Sequence, residues 1–120
     1  MVGVLIDACG WASLVEAGLN LDISLNEVIG DAELKITEGV KEELGSLAKK
    51  KTGLLLGLLF GRSEVVGTRN GHPDDALLSL AVENSWPVLT VDRGLKRRLV
   101  EQGCSYIEVT SGPSLRLVEP

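Results

Sequence analysis

Aromatic residues are scarce in this chain of 120 residues, which has two Trp, one Tyr and one Phe. Proteins that bind single-stranded nucleic acid by base stacking present several aromatic side chains, so a stacking platform is disfavoured. The core must consist of aliphatic side chains instead, and the hydrophobic content of 44% is ample for it. A chain of this length fits one compact domain, and we expect residues 1–120 to form it.

A basic excess is also missing, because the formal net charge is -5 at pH 7. General nucleic-acid binders contact phosphates through clustered Lys and Arg, and the composition argues against that class. The five acids discussed below carry a charge equal to the whole excess. If they bind cations, a nucleic-acid substrate remains compatible with this composition.

Cysteines and long apolar runs are few. Cys9 and Cys104 lack the spacing of metal or redox motifs, which predicts buried, reduced thiols and a cytoplasmic location, with a disulfide as the alternative. The longest apolar run, Leu54 to Phe60, is much shorter than the roughly 20 residues of a membrane helix. No charged-then-apolar leader opens the chain. We therefore expect a soluble protein that does not enter a membrane.

Motifs of several enzyme classes are absent. The chain has no Gly-x-Ser-x-Gly, no Gly-x-Gly-x-x-Gly and no Gly-x-x-x-x-Gly-Lys, which argues against hydrolase triads and nucleotide-binding loops. His72 is the single histidine. It precedes Pro73 in a predicted loop, where it is either a base or an exposed residue.

Apolar segments with the patterns of strands and helices alternate along the chain. This alternation predicts an α/β fold with a parallel sheet. Residues 67–73 have the composition of a loop, and residues 115–118 fit a short extra strand. Strands are predicted near residues 2–7, 33–37, 63–67, 87–91 and 105–109, and helices at 11–18, 23–29, 38–50, 53–61, 74–85 and 93–102.

Two acidic residues directly follow apolar segments that have the pattern of buried strands. Asp7 follows Val4-Leu5-Ile6, and Asp92 follows Val88-Leu89-Thr90-Val91. Open α/β sheets bind ligands at the carboxyl ends of their strands, so both acids are candidates for a functional site. Taken singly, Asp7 can merely end a strand and Asp92 can merely cap the following helix.

Helical periodicity distinguishes neighbouring acids on two predicted helices. At about 100° per residue, Glu43 lies beside the apolar stripe of its helix, whereas Glu42 points to the far face. On the next acidic helix, Asp74 lies in the centre of the stripe and Asp75 lies at its margin. The alternatives are an ordinary surface charge for Glu43 and a capping residue at a helix end for Asp74.

Four acids gathered at one edge of a sheet repel one another. Two carboxylates about 4 Å apart cost roughly 4 kcal/mol at an effective dielectric constant of 20. Hard divalent cations with oxygen ligands, such as Mg²⁺ or Mn²⁺, offset this repulsion. The pattern therefore favours a metal-dependent site of the kind that nucleases use.

Four segments resemble, in order, the acidic motifs of the PIN-domain ribonucleases, over about residues 2–109. The resemblance implies a catalytic site of Asp7, Glu43, Asp74 and Asp92 that binds Mg²⁺ or Mn²⁺. It also implies that Asp75 assists as a metal ligand and that Thr90 orients a ligand or water. The segments are Val4-Leu5-Ile6-Asp7, Val40-Lys41-Glu42-Glu43-Leu44, Pro73-Asp74-Asp75-Ala76-Leu77-Leu78 and Thr90-Val91-Asp92-Arg93-Gly94-Leu95-Lys96.

The resemblance further implies a three-layer α/β/α fold whose sheet has about five strands in the order 3-2-1-4-5. The third and fourth segments are most similar to the branch that processes ribosomal RNA precursors, and next to the toxins of toxin–antitoxin pairs. The implied partners are RNA and either a ribosome-assembly protein or an antitoxin. Gly94 departs from the family, because many members carry a further acid there that helps to hold a second metal.

Two basic clusters are candidates for phosphate binding. One follows Asp92 on the same helix, and it either contacts an RNA backbone beside the metal site or forms a solvated face. The other ends the helix at 38–50, where cations either complement the helix dipole or bind substrate. The first contains Arg93, Lys96, Arg97 and Arg98, of which the first three are the RNA-binding candidates, and the second contains Lys49, Lys50 and Lys51.

Gly53, Gly57 and Gly61 are spaced four residues apart in a segment that is otherwise Leu and Phe. On a short helix this spacing predicts close packing of another backbone, either within the domain or in a homodimer. Because its other faces are apolar, we expect this helix to be covered on most sides.

The expected function is hydrolysis of phosphodiester bonds in single-stranded or looped RNA by a metal-dependent endoribonuclease, with 5′-phosphate and 3′-hydroxyl products implied by the resemblance. The alternative is a catalytically inactive PIN-like module that binds RNA or a protein. A phospho-acceptor receiver domain is a third class, but it requires an Asp at the end of its third strand. Residues 63–68 contain none.

Overall fold

The computed structural model describes residues 2–67 and 71–120, so residues 68–70 of the predicted loop lie outside the described residues. Within those ranges no helix is long and apolar enough to cross a bilayer. The strands are β1 (Val2–Ile6), β2 (Ala32–Ile36), β3 (Ser63–Val65), β4 (Val88–Leu89), β5 (Tyr106–Val109) and β6 (Leu115–Val118). The helices are α1 (Ala8–Glu16), α2 (Leu21–Ile29), α3 (Glu38–Ala48), α4 (Leu56–Arg62), α5 (Pro73–Asn84) and α6 (Arg93–Glu101).

The strands form one sheet in the order β3-β2-β1-β4-β5-β6 with helices on both faces. The first five strands are parallel, which confirms the expected three-layer α/β/α fold and the order of those strands. The sheet is one strand wider than expected, because residues 115–118 pair antiparallel with β5.

The chain changes direction across the sheet between β1 and β4. From β1 it builds outward to β2 and β3, and it then returns to place β4 on the other side of β1. The pairing of Ile6 with Leu89 aligns the carboxyl ends of the two strands. The backbone N–H of Asp7 continues this pairing by donating to the carbonyl of Leu89 at 3.0 Å. This switch point is where open parallel sheets form a ligand-binding crevice.

The core is aliphatic, as the composition predicts. The side chains of Val4, Leu5 and Ile6 are completely buried, because helices cover both faces of β1. Burying one such side chain contributes about 1.5–3 kcal/mol. Trp11 is the aromatic residue that reaches the centre, and its indole N–H donates to the carbonyl of Leu54 at 2.7 Å. The core thereby ties α1 to the segment that precedes α4.

A glycine sets how closely α1 approaches the sheet. A Cβ atom at Gly10 would lie 2.3 Å from the carbonyl oxygen of Leu89, so any larger residue would force α1 away from β4. The helix begins at Ala8, three residues earlier than predicted, because Asp7 caps it directly after β1. Helix and strand therefore meet at Asp7 without a connecting loop.

The prediction of close backbone packing at Gly53, Gly57 and Gly61 is wrong within the domain. A Cβ atom at any of the three would meet no atom within 4 Å. The helix begins only at Leu56, because Gly53 and Leu55 adopt left-handed backbone conformations with φ of 79° and 54°. Leu55 is 57% and Leu58 46% exposed, so the expected cover is missing there too. Packing in a homodimer stays a prediction.

Gly57 and Gly10 should respond oppositely to alanine. Gly57→Ala should raise the free energy of unfolding by up to about 1 kcal/mol, since alanine favours the helix and fills open space. Gly10→Ala should lower it by at least about 1–3 kcal/mol, because the methyl group meets β4. Urea unfolding followed by circular dichroism measures both. Equal effects of the two substitutions would show that α1 does not depend on this close approach.

Candidate active site

Asp7 forms the fixed centre of the site. Its carboxylate caps α1 by accepting from the N–H of Ala8 at 2.8 Å, and it accepts from the hydroxyl of Thr90 at 2.9 Å. The thiol of Cys9 donates to the same oxygen as Thr90, at 3.1 Å. Only 4% of Asp7 is exposed, and these donors make the burial of a carboxylate tolerable. The orientation of Asp7 is therefore set by the fold.

Thr90 links the two acids at the strand ends. Its side chain is fully buried directly after β4. Its hydroxyl donates to Asp7 and accepts from the backbone N–H of Asp92 at 3.1 Å. The resemblance implies a role for Thr90 in orienting a ligand or water, and the contact in the structure is with Asp7 itself.

Asp92 caps α6 by accepting from the backbone N–H of Leu95 at 2.9 Å. This is the structural role that the sequence offers as an alternative for this residue. The cap uses one carboxylate oxygen, and a carboxylate offers about four lone-pair sites, so capping is compatible with binding a ligand. A Cβ atom at Gly94 would lie 3.2 Å from the capping oxygen of Asp92. Gly94, where many family members carry a further acid, therefore lies directly beside Asp92.

Glu43 is brought to the site by α3. Thr37 caps this helix by accepting from the N–H of Val40 at 3.1 Å, and Val40 and Leu44 anchor it in the core. Glu43 stays accessible to solvent, but partial burial raises the pKa of its carboxyl group. The negative charges of Asp7 and Asp74 raise this pKa further. Glu43 therefore lies near enough to both acids to sense their charges.

Asp74 lies in the first turn of α5, which packs close to the start of α3. A Cβ atom at Gly39 would lie 3.2 Å from the ring of Pro73, so the two helix ends nearly touch. Partial burial raises the pKa of the Asp74 carboxyl group, and the charges of Asp7 and Asp92 raise it further. The four acids from separate segments thus form one electrostatically coupled cluster at the edge of the sheet.

His72 adjoins this cluster as a helix cap, whereas the sequence offered it as either a base or an exposed residue. It caps α5 through its imidazole Nδ1, which accepts from the backbone N–H of Asp74 at 3.1 Å. An imidazolium has no acceptor nitrogen, so protonation would end this cap, and the positive charge would then lower the pKa values of Glu43 and Asp74. The available sequence signal was Pro73, because proline favours the first position of a helix and places the preceding residue at the cap.

Cys9 is the second residue that sequence reasoning missed. Both cysteines are free, and Cys104 is buried, but Cys9 is only partly buried. Burial raises the pKa of the Cys9 thiol, and the charge of Asp7 raises it further. The thiol therefore keeps its proton at neutral pH and donates a hydrogen bond to Asp7. Its position two residues after Asp7 on a helix start was the sequence signal.

Two candidate residues form ion pairs outside the acidic cluster. Asp75 forms an exposed ion pair with Arg98 at 2.6 Å, and its charge is not among those that shift the pKa of Glu43 or Asp74. Lys96 forms an ion pair with Glu108 at 2.7 Å. The remaining RNA-binding candidates are exposed on α6, namely Arg93 and Arg97.

The donor set consists of carboxylate oxygens, the ligands that hard divalent cations prefer. Burial, and then the charges of neighbouring acids, raise the pKa values of Glu43 and Asp74 within this set. In residues 2–67 and 71–120, no three His, Cys, Asp or Glu side chains converge tightly enough to bind one ion together. Mg²⁺ does not require this, since it commonly binds through one or two carboxylates, waters and substrate phosphates. The coupled acids therefore fit such an ion.

Comparison with known proteins agrees with this fold. Residues 4–111 match the model of the PIN-like domain family. The chain belongs to that family. No curated protein matches it at a significant level. Its family membership thus rests on almost the whole length of the domain.

Solved structures show the same fold at low sequence identity. The PIN domain endonuclease Utp24 is 19% identical with a TM-score of 0.80, and the match covers 98% of this chain and 92% of that one. PAE2754 from Pyrobaculum aerophilum is 16% identical with a TM-score of 0.59, covering 81% and 84%. The PilT N-terminus domain protein SSO1118 from Sulfolobus solfataricus P2 is 14% identical with a TM-score of 0.56, covering 89% and 87%.

Asp74 and its neighbour Asp75 should affect stability in opposite directions. In chelator at pH 7, Asp74→Asn should melt at a higher temperature than the wild type, because it removes a carboxylate that the negative charges of Asp7 and Asp92 repel. Asp75→Asn should melt at a lower temperature, because it removes the partner of Arg98. Both substitutions lose a similar interaction with the dipole of α5, so their difference reports on their surroundings.

The pH dependence of the Asp74→Asn effect follows from the raised pKa. A carboxyl group whose folded pKa exceeds the unfolded value of about 3.9 contributes stability below that value and loses it as pH rises through the folded pKa. The advantage of Asp74→Asn should therefore be full at pH 7 and should disappear as pH falls toward about 4. Thermal melts across this range measure it, and equal, pH-independent shifts for both variants would contradict the coupling.

Proposed function

We propose that this protein is a divalent-metal-dependent endoribonuclease that hydrolyses phosphodiester bonds in single-stranded or looped RNA. The observation that supports it most is the coupled cluster of Asp7, Glu43, Asp74 and Asp92 at the switch point of the sheet. Membership of the PIN-like domain family, and the fold shared with an endonuclease, support the same reaction class.

The four acids differ in how rigidly the fold holds their side chains. Asp7 is buried and oriented by Thr90, so it provides a preset ligand that need not reorganise during the reaction. Glu43 and Asp74 lie on helix surfaces, where their side chains would adjust to a bound ion and the phosphate. A cation bound here would supply a nucleophilic water at neutral pH and positive charge for the phosphate oxygens in the transition state.

Single-stranded RNA suits this surface better than a duplex does. Duplex binding requires many phosphate contacts from a broad basic face, and the net charge is -5. Arg93 and Arg97 are exposed on the helix that begins at Asp92, and they contact the backbone next to the cleaved bond. Lys96 joins them only if its ion pair with Glu108 opens.

The resemblance of the third and fourth acidic segments favours processing of ribosomal RNA precursors, with a ribosome-assembly partner, over the activity of a toxin paired with an antitoxin. Asp75 assists as an outer ligand, reached by rotation away from Arg98. Both cysteines are free, which favours the reducing cytoplasm as the location.

Substitution of the strand-end acids tests this function. Asp7→Asn or Asp92→Asn should lower Mn²⁺-supported cleavage of RNA by at least about 100-fold, because these carboxylates hold the ion that activates water. The fold should survive, since asparagine is as good a helix cap as aspartate. Cleavage of a labelled oligoribonucleotide at saturating Mn²⁺ measures the effect. Full cleavage by both variants would refute this metal site, whereas no cleavage by the wild type would favour the RNA-binding or protein-binding module.

A matched pair on α3 provides the control. Glu43→Gln should lower kcat at least about tenfold, because the charges of Asp7 and Asp74 act on Glu43. Glu42→Gln is the control, and it should leave kcat unchanged. Both substitutions remove one charge from adjacent exposed positions. Equal losses would mean that general negative charge, rather than a positioned ligand, supports cleavage.

Metal binding should reverse the order of stability at Asp74. Without metal the Asp74→Asn variant is expected to be the more stable protein, but in Mn²⁺ the wild type should melt higher. A ligand that binds only the folded state stabilises it by about 2.7 kcal/mol at 100 times its dissociation constant, and the variant binds the ion poorly. Thermal melts with chelator and with Mn²⁺ measure this. An identical Mn²⁺ shift in both proteins would remove Asp74 from the site.

A further inference from the structure

We propose that a surface hollow between α1 and α3 binds a nucleobase of the RNA, that of a nucleotide next to the cleaved phosphate. The inference rests on the proposed endoribonuclease function and adds a base-binding subsite to it. The hollow has a volume of about 550 Å³, enough for a base together with part of its ribose. We call it the α1–α3 hollow. It is lined by Ala8, Cys9, Gly39, Glu42, Glu43, Ser46, Leu47 and Lys50.

The helical period explains why one side of α3 faces the hollow. Glu43, Leu47 and Lys50 are spaced by four and three residues, so they follow one stripe along the helix and its end. Glu42 is exposed, as expected, but it borders the same hollow as Glu43 instead of lying on the opposite face. The hollow therefore runs along α3 from the acidic cluster to the lysines that end the helix.

The hollow is continuous with the site that would hold the scissile phosphate. Cys9 lines it and lies 3.1 Å from the carboxylate of Asp7. Glu43 lines it and senses the charges of Asp7 and Asp74. An RNA strand whose phosphate lies at the acids therefore places a neighbouring nucleotide at the mouth of the hollow.

The lining favours a base over a second phosphate at this end. Glu43 borders the hollow, where its carboxylate disfavours a second phosphate without a cation and can accept hydrogen bonds from the N–H groups on the edge of a base. Leu47 and Ala8 provide an apolar surface for the face of the ring, and Ser46 provides a hydroxyl. The subsite thus needs no aromatic side chain.

Lys50 places a positive charge at the far end. It follows Glu43 by seven residues, which corresponds to about 10 Å along a helix at 1.5 Å per residue. A nucleotide that lies in the hollow with one phosphate at the acids can present its other phosphate toward Lys50. The hollow is therefore negative near the acidic cluster, where the base would lie, and positive at Lys50, where the next phosphate would lie.

Filling the hollow tests the proposal. Ser46 is exposed and lines the hollow, so Ser46→Trp places an indole there without disturbing the core. Gly45→Trp is the matched control, because it adds the same ring to the adjacent residue of α3, where a Cβ atom meets open space. The substrates are fluorescein-labelled oligoribonucleotides of a single base type and versions with one base removed at each position near the cleavage site.

We expect Ser46→Trp to raise KM about tenfold, the effect of losing one bound base, and to leave kcat within about twofold of the wild type. Gly45→Trp should change neither. Removing the base at one position next to the cleaved bond should raise the wild-type KM by a similar factor and should not raise that of Ser46→Trp further. Equal KM values for wild type and Ser46→Trp, with cleavage intact, would overturn the subsite alone.

A binding measurement separates this inference from the nuclease itself. Fluorescence anisotropy of the same oligoribonucleotides, with Ca²⁺ in place of Mn²⁺, reports affinity without requiring cleavage. If the wild type binds but never cleaves, and only Ser46→Trp loses affinity, the subsite stands and the proposed catalysis fails. If the wild type neither binds nor cleaves any of these RNAs, both proposals are overturned.

Discussion

Parallel pairing of β1 with β4 at the centre of the sheet is the constraint on which the fold and the acidic cluster both depend. β4 contributes only Val88 and Leu89 to the ladder, yet both are fully buried and α1 rests directly on Leu89 through Gly10. Any widening of this junction would separate Asp7 from Thr90. The side chains that pack the core are therefore also the ones that set the distances between the acids.

The acids at this junction work against the stability of the fold. Burial and mutual repulsion raise the pKa values of Glu43 and Asp74, and only Asp7 receives several hydrogen-bond donors in return. A sequence selected for stability alone would place neutral residues at these surface positions. Residues that destabilise a fold concentrate at functional sites. In this chain the mutually repelling acids are such residues, whereas the aliphatic core follows the expected burial pattern.

The sequence was most informative where periodicity and burial act together. Apolar segments that end at Asp7 and Asp92 predict strand ends, because both faces of a central strand are buried. Helix phase separated Glu43 from Glu42 less well, since both residues border the same hollow. The same logic failed at the Gly57 helix, since apolar spacing does not reveal how many faces the core can cover. Partners such as Arg98 for Asp75 depend on tertiary contacts that no local pattern encodes.

The hydrogen bond between Asp7 and Thr90 spans 83 positions of the chain. During synthesis the amino-terminal acid is therefore made long before the residue that orients it, and β1 lacks its neighbour on one side until β4 has emerged. Loop closure over such a span is slow compared with the formation of local helices. The acidic cluster is therefore incomplete until β4 pairs with β1, and a chain that ends before residue 88 has Asp7 without Thr90 to orient it and without Asp92 beside it.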